Sequence, residues 1–143
     1  MIFTLWIIFG VASGLAAIWL SRVLKSEGLV FGTSLIIAAF WYLGFGILSG
    51  HTLTILAPQI IGSVFFFFCG IFGFRYTLIL SVGWFAHIVW DVSSPMFSNV
   101  SYMPHWTVPA CLGFDTLSGC YLFARYKDMY PHQRSDGGLN TGK

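Results

Sequence analysis

Apolar residues run almost unbroken along this chain in five blocks, Ile2 to Leu20, Leu29 to Ser49, Leu53 to Gly73, Tyr76 to Val92 and His105 to Ala124, separated by short polar breaks. Each block is close to the roughly 20 residues that a helix, rising about 1.5 Å per residue, needs to cross a bilayer core. No barrel-like alternation is present, and lipid leaves a backbone amide no partner outside its own helix, so an all-α fold is predicted. Breaks as short as Gly50 to Thr52 and Phe74 to Arg75 make successive helices antiparallel neighbours. The expectation is an up-and-down bundle of five transmembrane helices over residues 1–124, followed by a polar, disordered tail over 125–143. The first block is followed by Arg22 and Lys25 and is preceded by no basic segment, so it reads as a retained span rather than a signal peptide.

Composition agrees with this pattern. Of 143 residues, 57% are hydrophobic and 8% are charged, against about 25% charged in soluble domains. So few charges cannot cover a globule exposed to water on all sides, whereas membrane lipids remove that demand. A net charge of +2 without a long basic block argues against nucleic acid as a partner. Cys69, Cys111 and Cys120 show no C-x-x-C spacing and read as small packing residues.

The basic residues give the bundle a direction. Alternate threading places Arg22, Lys25, Arg75, Arg125, Lys127, Arg134 and Lys143 on one face and leaves the other without Lys or Arg. The basic face is therefore expected to be cytoplasmic, with the N-terminus outside, most naturally in the plasma (inner) membrane. Trp6, Trp19, Trp41, Trp90 and Trp106 lie mostly near span ends, as an aromatic belt would have them. Gly10-x-x-x-Gly14 and Gly46-x-x-x-Gly50 permit close helix approach, first as packing devices and secondarily as faces for a homo-oligomer.

Ionisable groups away from the basic face are few: His51, His87, Asp91, His105 and Asp115. An acidic side chain at mid-bilayer costs about 2.5–3.5 kcal/mol unless paired or hydrated, so these groups should face the interior. His87 and Asp91 stand at i, i+4 on the fourth span, on a face continuing through Trp84 and Ser81. Thr107, Cys111, Asp115 and Ser118 make a similar stripe on the fifth, and Gln59 and Ser63 on the third. Counting along the helices sets His87 about 16 Å from the cytoplasmic end and Asp115 about 15 Å from the outer end. Together the five groups describe a polar funnel opening outward.

Three chemistries fit this set. His87, Asp91, His105 and Asp115 suit a divalent metal such as zinc, iron or manganese, with His87, Asp91 and Asp115 as catalytic groups of a membrane hydrolase or lipid-modifying enzyme. The same groups suit a proton relay or a small ion or solute carrier. In a purely structural arrangement, His87 and Asp91 satisfy each other, and Asp115 bonds to hydroxyls or to a backbone group freed near Pro109. Elsewhere, Pro58 suggests a kink, Ser93 and Ser94 a helix-ending turn before Pro95, Asn99-Val100-Ser101 an N-glycosylation triplet, and His132 a solvated side chain.

The run Gly83-Trp84-Phe85-Ala86-His87-Ile88-Val89-Trp90-Asp91, followed by Pro104, Cys111 and Asp115, resembles a family of small multi-span membrane proteins of unknown function. The resemblance covers most of the chain and rests on His-x-x-Trp-Asp and the later Asp. Val92-Ser93-Ser94 stands where that family often carries a histidine pair. The resemblance implies a membrane location and singles out His87, Trp90, Asp91 and Asp115 without assigning them roles.

Overall fold

The structure is a computed structural model and describes residues 2–97 and 103–129. Five helices follow in order: α1 (Ile2–Val23), α2 (Glu27–Leu48), α3 (Leu53–Gly73), α4 (Thr77–Phe97) and α5 (Thr107–Met129). The described residues contain no strand. Helices α1 to α4 are long and apolar enough to cross a membrane. Helix α5 is as long, at 23 residues, but Asp115, Ser118, its threonines and the charges of its last turns make it less apolar. Thr107, Asp115 and Ser118 are all buried, so much of that polarity faces protein.

Local chemistry sets the helix ends. Helix α1 closes with the Lys25 N–H donating to the Arg22 carbonyl (3.3 Å) and the Ser26 N–H to the Ser21 carbonyl (3.0 Å). This double closure needs a left-handed residue at Lys25, whose φ is +52°. Ser26 then caps α2 by accepting the Leu29 N–H, and Glu27 places a negative charge in the first turn. Gly50, at φ +70°, reverses the chain after α2, where only glycine adopts that conformation freely.

The helices close a ring in which α5 lies between α1 and α4, α4 meets α3, α3 meets α2 and α2 meets α1, while α2 and α4 also touch. The closest seam is between α1 and α5. A Cβ on Gly10 would overlap the Ala110 carbonyl, and one on Gly113 would overlap the Ile7 carbonyl. Gly14 lies against Leu117. The Gly10-x-x-x-Gly14 pair is therefore used within the chain, as a packing device.

Phe31, Leu35, Ala39, Phe66, Leu80, Trp84 and Leu122 form the apolar core. The same helix faces continue into Tyr42, Ser63, Gln59, His87, Asp91, Ser118 and Asp115, all buried. Outside, Ile8, Leu15, Ile37, Ile61, Phe68, Val82 and Val89 are exposed in mid-helix. Polar groups inside and apolar groups outside reverse the arrangement water would impose, as expected of a bundle solvated by lipid.

Two helix ends and one side chain differ from expectation. Helix α4 runs through Ser93 and Ser94 to Phe97 instead of turning before Pro95. Proline there removes one donor from the last turn, where a lost bond disturbs little of the helix. Helix α5 extends to Met129, past Ala124 and into the predicted tail. Arg125 explains this, since its Nε donates to Glu27 Oε1 (2.6 Å), and the carboxylate holds the guanidinium even further above its ordinary pKa. Trp90, expected at an interface, packs over Gly62 and against Phe66 (6.1 Å between centroids). The Asn99-Val100-Ser101 triplet, His132 and the tail from 130 lie outside the described residues.

Candidate metal centre

The buried polar group is assembled from two helices. One helical turn separates His87 from Asp91 on α4, so both point to the same side, and α5 brings Asp115 against them. His87, Asp91 and Asp115 are 1%, 0% and 1% exposed. His87 Nδ1 lies 2.8 Å from Asp115 Oδ2 and 3.6 Å from Asp91 Oδ1. The imidazole is therefore hydrogen-bonded across the helix interface to Asp115. Its neighbour on α4 is too distant for that bond, which differs from the His87–Asp91 pair expected of a structural arrangement.

Both carboxylates face Nδ1, which carries the proton donated to an ionised Asp115; a cation shared by the three groups would take the place of that proton. Nε2 is buried and has no hydrogen-bond partner among the described residues, whereas the Asp91 carboxylate has the Tyr42 hydroxyl and the Cys111 thiol as neighbouring donors. Trp84 Nε1, Gln59 Oε1, Thr107 Oγ1 and Ser118 Oγ are also buried without a hydrogen-bond partner among the described residues. The Tyr42 hydroxyl and Cys111 thiol stand near enough to Asp91 to feel its charge. Phe66 and Trp84 wall the imidazole at ring-centroid distances of 4.9 and 6.0 Å.

One ligand atom each from His87, Asp91 and Asp115 lie within 4.8 Å of one another. Atoms around a single ion, with bonds of about 2.0–2.2 Å, stand no further apart than about twice that length, so this spacing needs only small side-chain adjustments. His105, the fourth expected ligand, is exposed and outside this group. His51 is half-buried in the turn between α2 and α3, also outside it.

A cavity of about 260 Å³ reaches the centre, with His87 and Asp115 in its wall. Trp84, Tyr42, Ala38, Ala110 and Phe114 also line it, and its rim includes the exposed residues Phe9, Ile37 and Trp41. It therefore opens sideways between α1 and α2. A polar funnel facing outward had been the expectation, but its walls are chiefly apolar. Tyr42 is the site residue that the sequence reading overlooked. Ser34, Ala38 and Tyr42, spaced at i, i+4 and i+8 along α2, were the available signal.

Comparison with known proteins returns no matching family, curated protein or solved structure.

Proposed function

We propose that the chain is a five-span integral membrane enzyme in which His87, Asp91 and Asp115 hold a divalent cation, and that it hydrolyses or otherwise modifies a lipid. The observation carrying this reading is the pair Asp91 and Asp115, two carboxylates with 0% and 1% exposure that face the same His87 nitrogen at 3.6 and 2.8 Å, with no cationic side chain other than that imidazole beside them among the described residues. Burying such a group uncompensated is expensive, and a bound cation is the usual remedy. Charge balance points the same way, because two carboxylates and a neutral imidazole neutralise one divalent ion. The donor set of one nitrogen and two carboxylates suits zinc, iron or manganese, and three protein ligands leave a position at which water is activated.

The substrate class follows from the cavity. A chiefly apolar chamber that opens between two lipid-facing helices admits an acyl or isoprenoid chain from the bilayer more readily than a water-soluble molecule. The basic end of the bundle, with Arg22, Lys25 and Arg125, supports a cytoplasmic C-terminus in an inner membrane. The metal centre then lies in the half away from the cytoplasm.

A proton relay is the second reading, favoured by the 2.8 Å His87–Asp115 bond. Metal analysis of the detergent-purified protein separates the two. About one equivalent of zinc, iron or manganese per chain, lost in His87→Ala and Asp91→Ala and kept in His105→Ala, is the expected result. A metal-free protein that moves protons across liposomes would replace the enzyme with the relay.

A further inference from the structure

At the end of the bundle opposite the His/Asp centre lies a second cavity, of about 490 Å³, lined by Ser21, Arg22, Lys25, Glu27, Tyr121 and Arg125. Three cations against one carboxylate leave it a surplus of two positive charges. Glu27 is already paired within the wall: its Oε1 accepts both the Tyr121 hydroxyl (2.9 Å) and Arg125 Nε (2.6 Å). Arg22 lies over the Tyr121 ring, 5.8 Å from its centroid, and makes no ion pair among the described residues, and neither does Lys25. Two unneutralised cations thus flank a wall whose own carboxylate is already occupied.

Lys25 adds an independent observation. The double hydrogen-bonded closure of α1 calls for a left-handed residue, and glycine is the usual choice. Lysine instead occupies it at φ +52°, a conformation that strains a side-chain-bearing residue. Strain retained at a cavity wall points to a use for the side chain.

We propose that this cavity binds a phosphate-bearing anion, with Arg22 and Lys25 contacting the phosphate and the Glu27–Arg125–Tyr121 cluster holding the wall in shape. The site lies where helices α1 and α5 leave the apolar region, level with lipid headgroups, so an anionic phospholipid and free phosphate share the required chemistry. The inference rests on the bundle crossing a bilayer and is independent of the metal centre.

The test uses the full chain in nanodiscs of phosphatidylcholine mixed with phosphatidylglycerol, with retained lipid read by native mass spectrometry. Wild-type protein should retain phosphatidylglycerol preferentially. Arg22→Gln and Lys25→Gly should each lower that retention about fivefold, the effect of one cation near an anionic headgroup, whereas Arg75→Gln, outside the cavity, should not. Lys25→Gly restores the residue preferred by the turn, so its melting temperature should equal or exceed that of the wild type, and lost binding cannot then be ascribed to unfolding. Displacement of the lipid by inorganic phosphate would identify free phosphate as a second ligand of the same site. Equal retention of both lipids with no effect of phosphate, or an equal loss in Arg75→Gln, would overturn the proposal.

Discussion

On α4, Asp91 is fully buried one turn beyond His87 and 3.6 Å from its Nδ1, and its replacement separates a metal ligand from a tolerated structural acid. In chelator, Asp91→Leu should melt higher than wild type, since exchanging a poorly compensated buried charge for a packed apolar side chain is often stabilising by about 1–4 kcal/mol. With divalent metal added the order should reverse, because only the wild type gains binding energy. An Asp91→Leu protein less stable than wild type in both conditions would argue against the centre. Asp115 is one of the three proposed ligands, so Asp115→Asn should reduce metal affinity by at least about 10–100-fold, the loss typical even when only a group orienting a ligand is removed, as measured by competition with a chromogenic chelator. The i, i+4 spacing of His87 and Asp91 was legible in the sequence. The 2.8 Å bond to Asp115 was not, because it depends on how far α5 slides along α4.

Helices meet here through glycine as much as through side-chain interdigitation. Gly113→Val places a branched side chain where the Ile7 carbonyl already lies, so α1 and α5 must separate. A loss of at least about 1–3 kcal/mol is expected, the range for overpacking, read by chemical denaturation in detergent. Gly44→Ala meets nothing within 4 Å and should change stability little or raise it. Equal effects of the two substitutions would mean that the α1–α5 seam is not the close contact described. The small-residue pairs were visible in the sequence, but which partner they face was not. Gly10 and Gly14 read first as a packing device and secondarily as a dimer face, and only the fold shows that α5 is what they pack against.

For the molecule as a whole, the ring of helices joins two facts that lie far apart in the chain: a polar centre and a lateral opening. Ala38→Trp, which fills the cavity from α2, should exclude a co-purifying lipid chain while leaving the metal content near wild type. Loss of both together would indicate a collapsed fold instead of a blocked chamber. A C-terminal reporter should be active in the cytoplasm, and one active outside would invert the assignment of the two ends.

The linear pattern was sufficient for the all-α fold and for the five helices of the described residues, four of them long and apolar enough to cross a membrane. Each of these depends on local apolarity and on backbone groups satisfied within a single segment, properties that a run of residues carries on its own. Helix ends were less accessible, as Pro95 and Arg125 demonstrate, since the extension of α5 depends on Glu27, far away in the chain. Three matters required the packed bundle: the absence of His105 from the His87, Asp91 and Asp115 group, the place of Tyr42 beside it, and the opening of the cavity between α1 and α2. Periodicity places a residue on a face of its helix, but the rotation and register of neighbouring helices settle what that face meets.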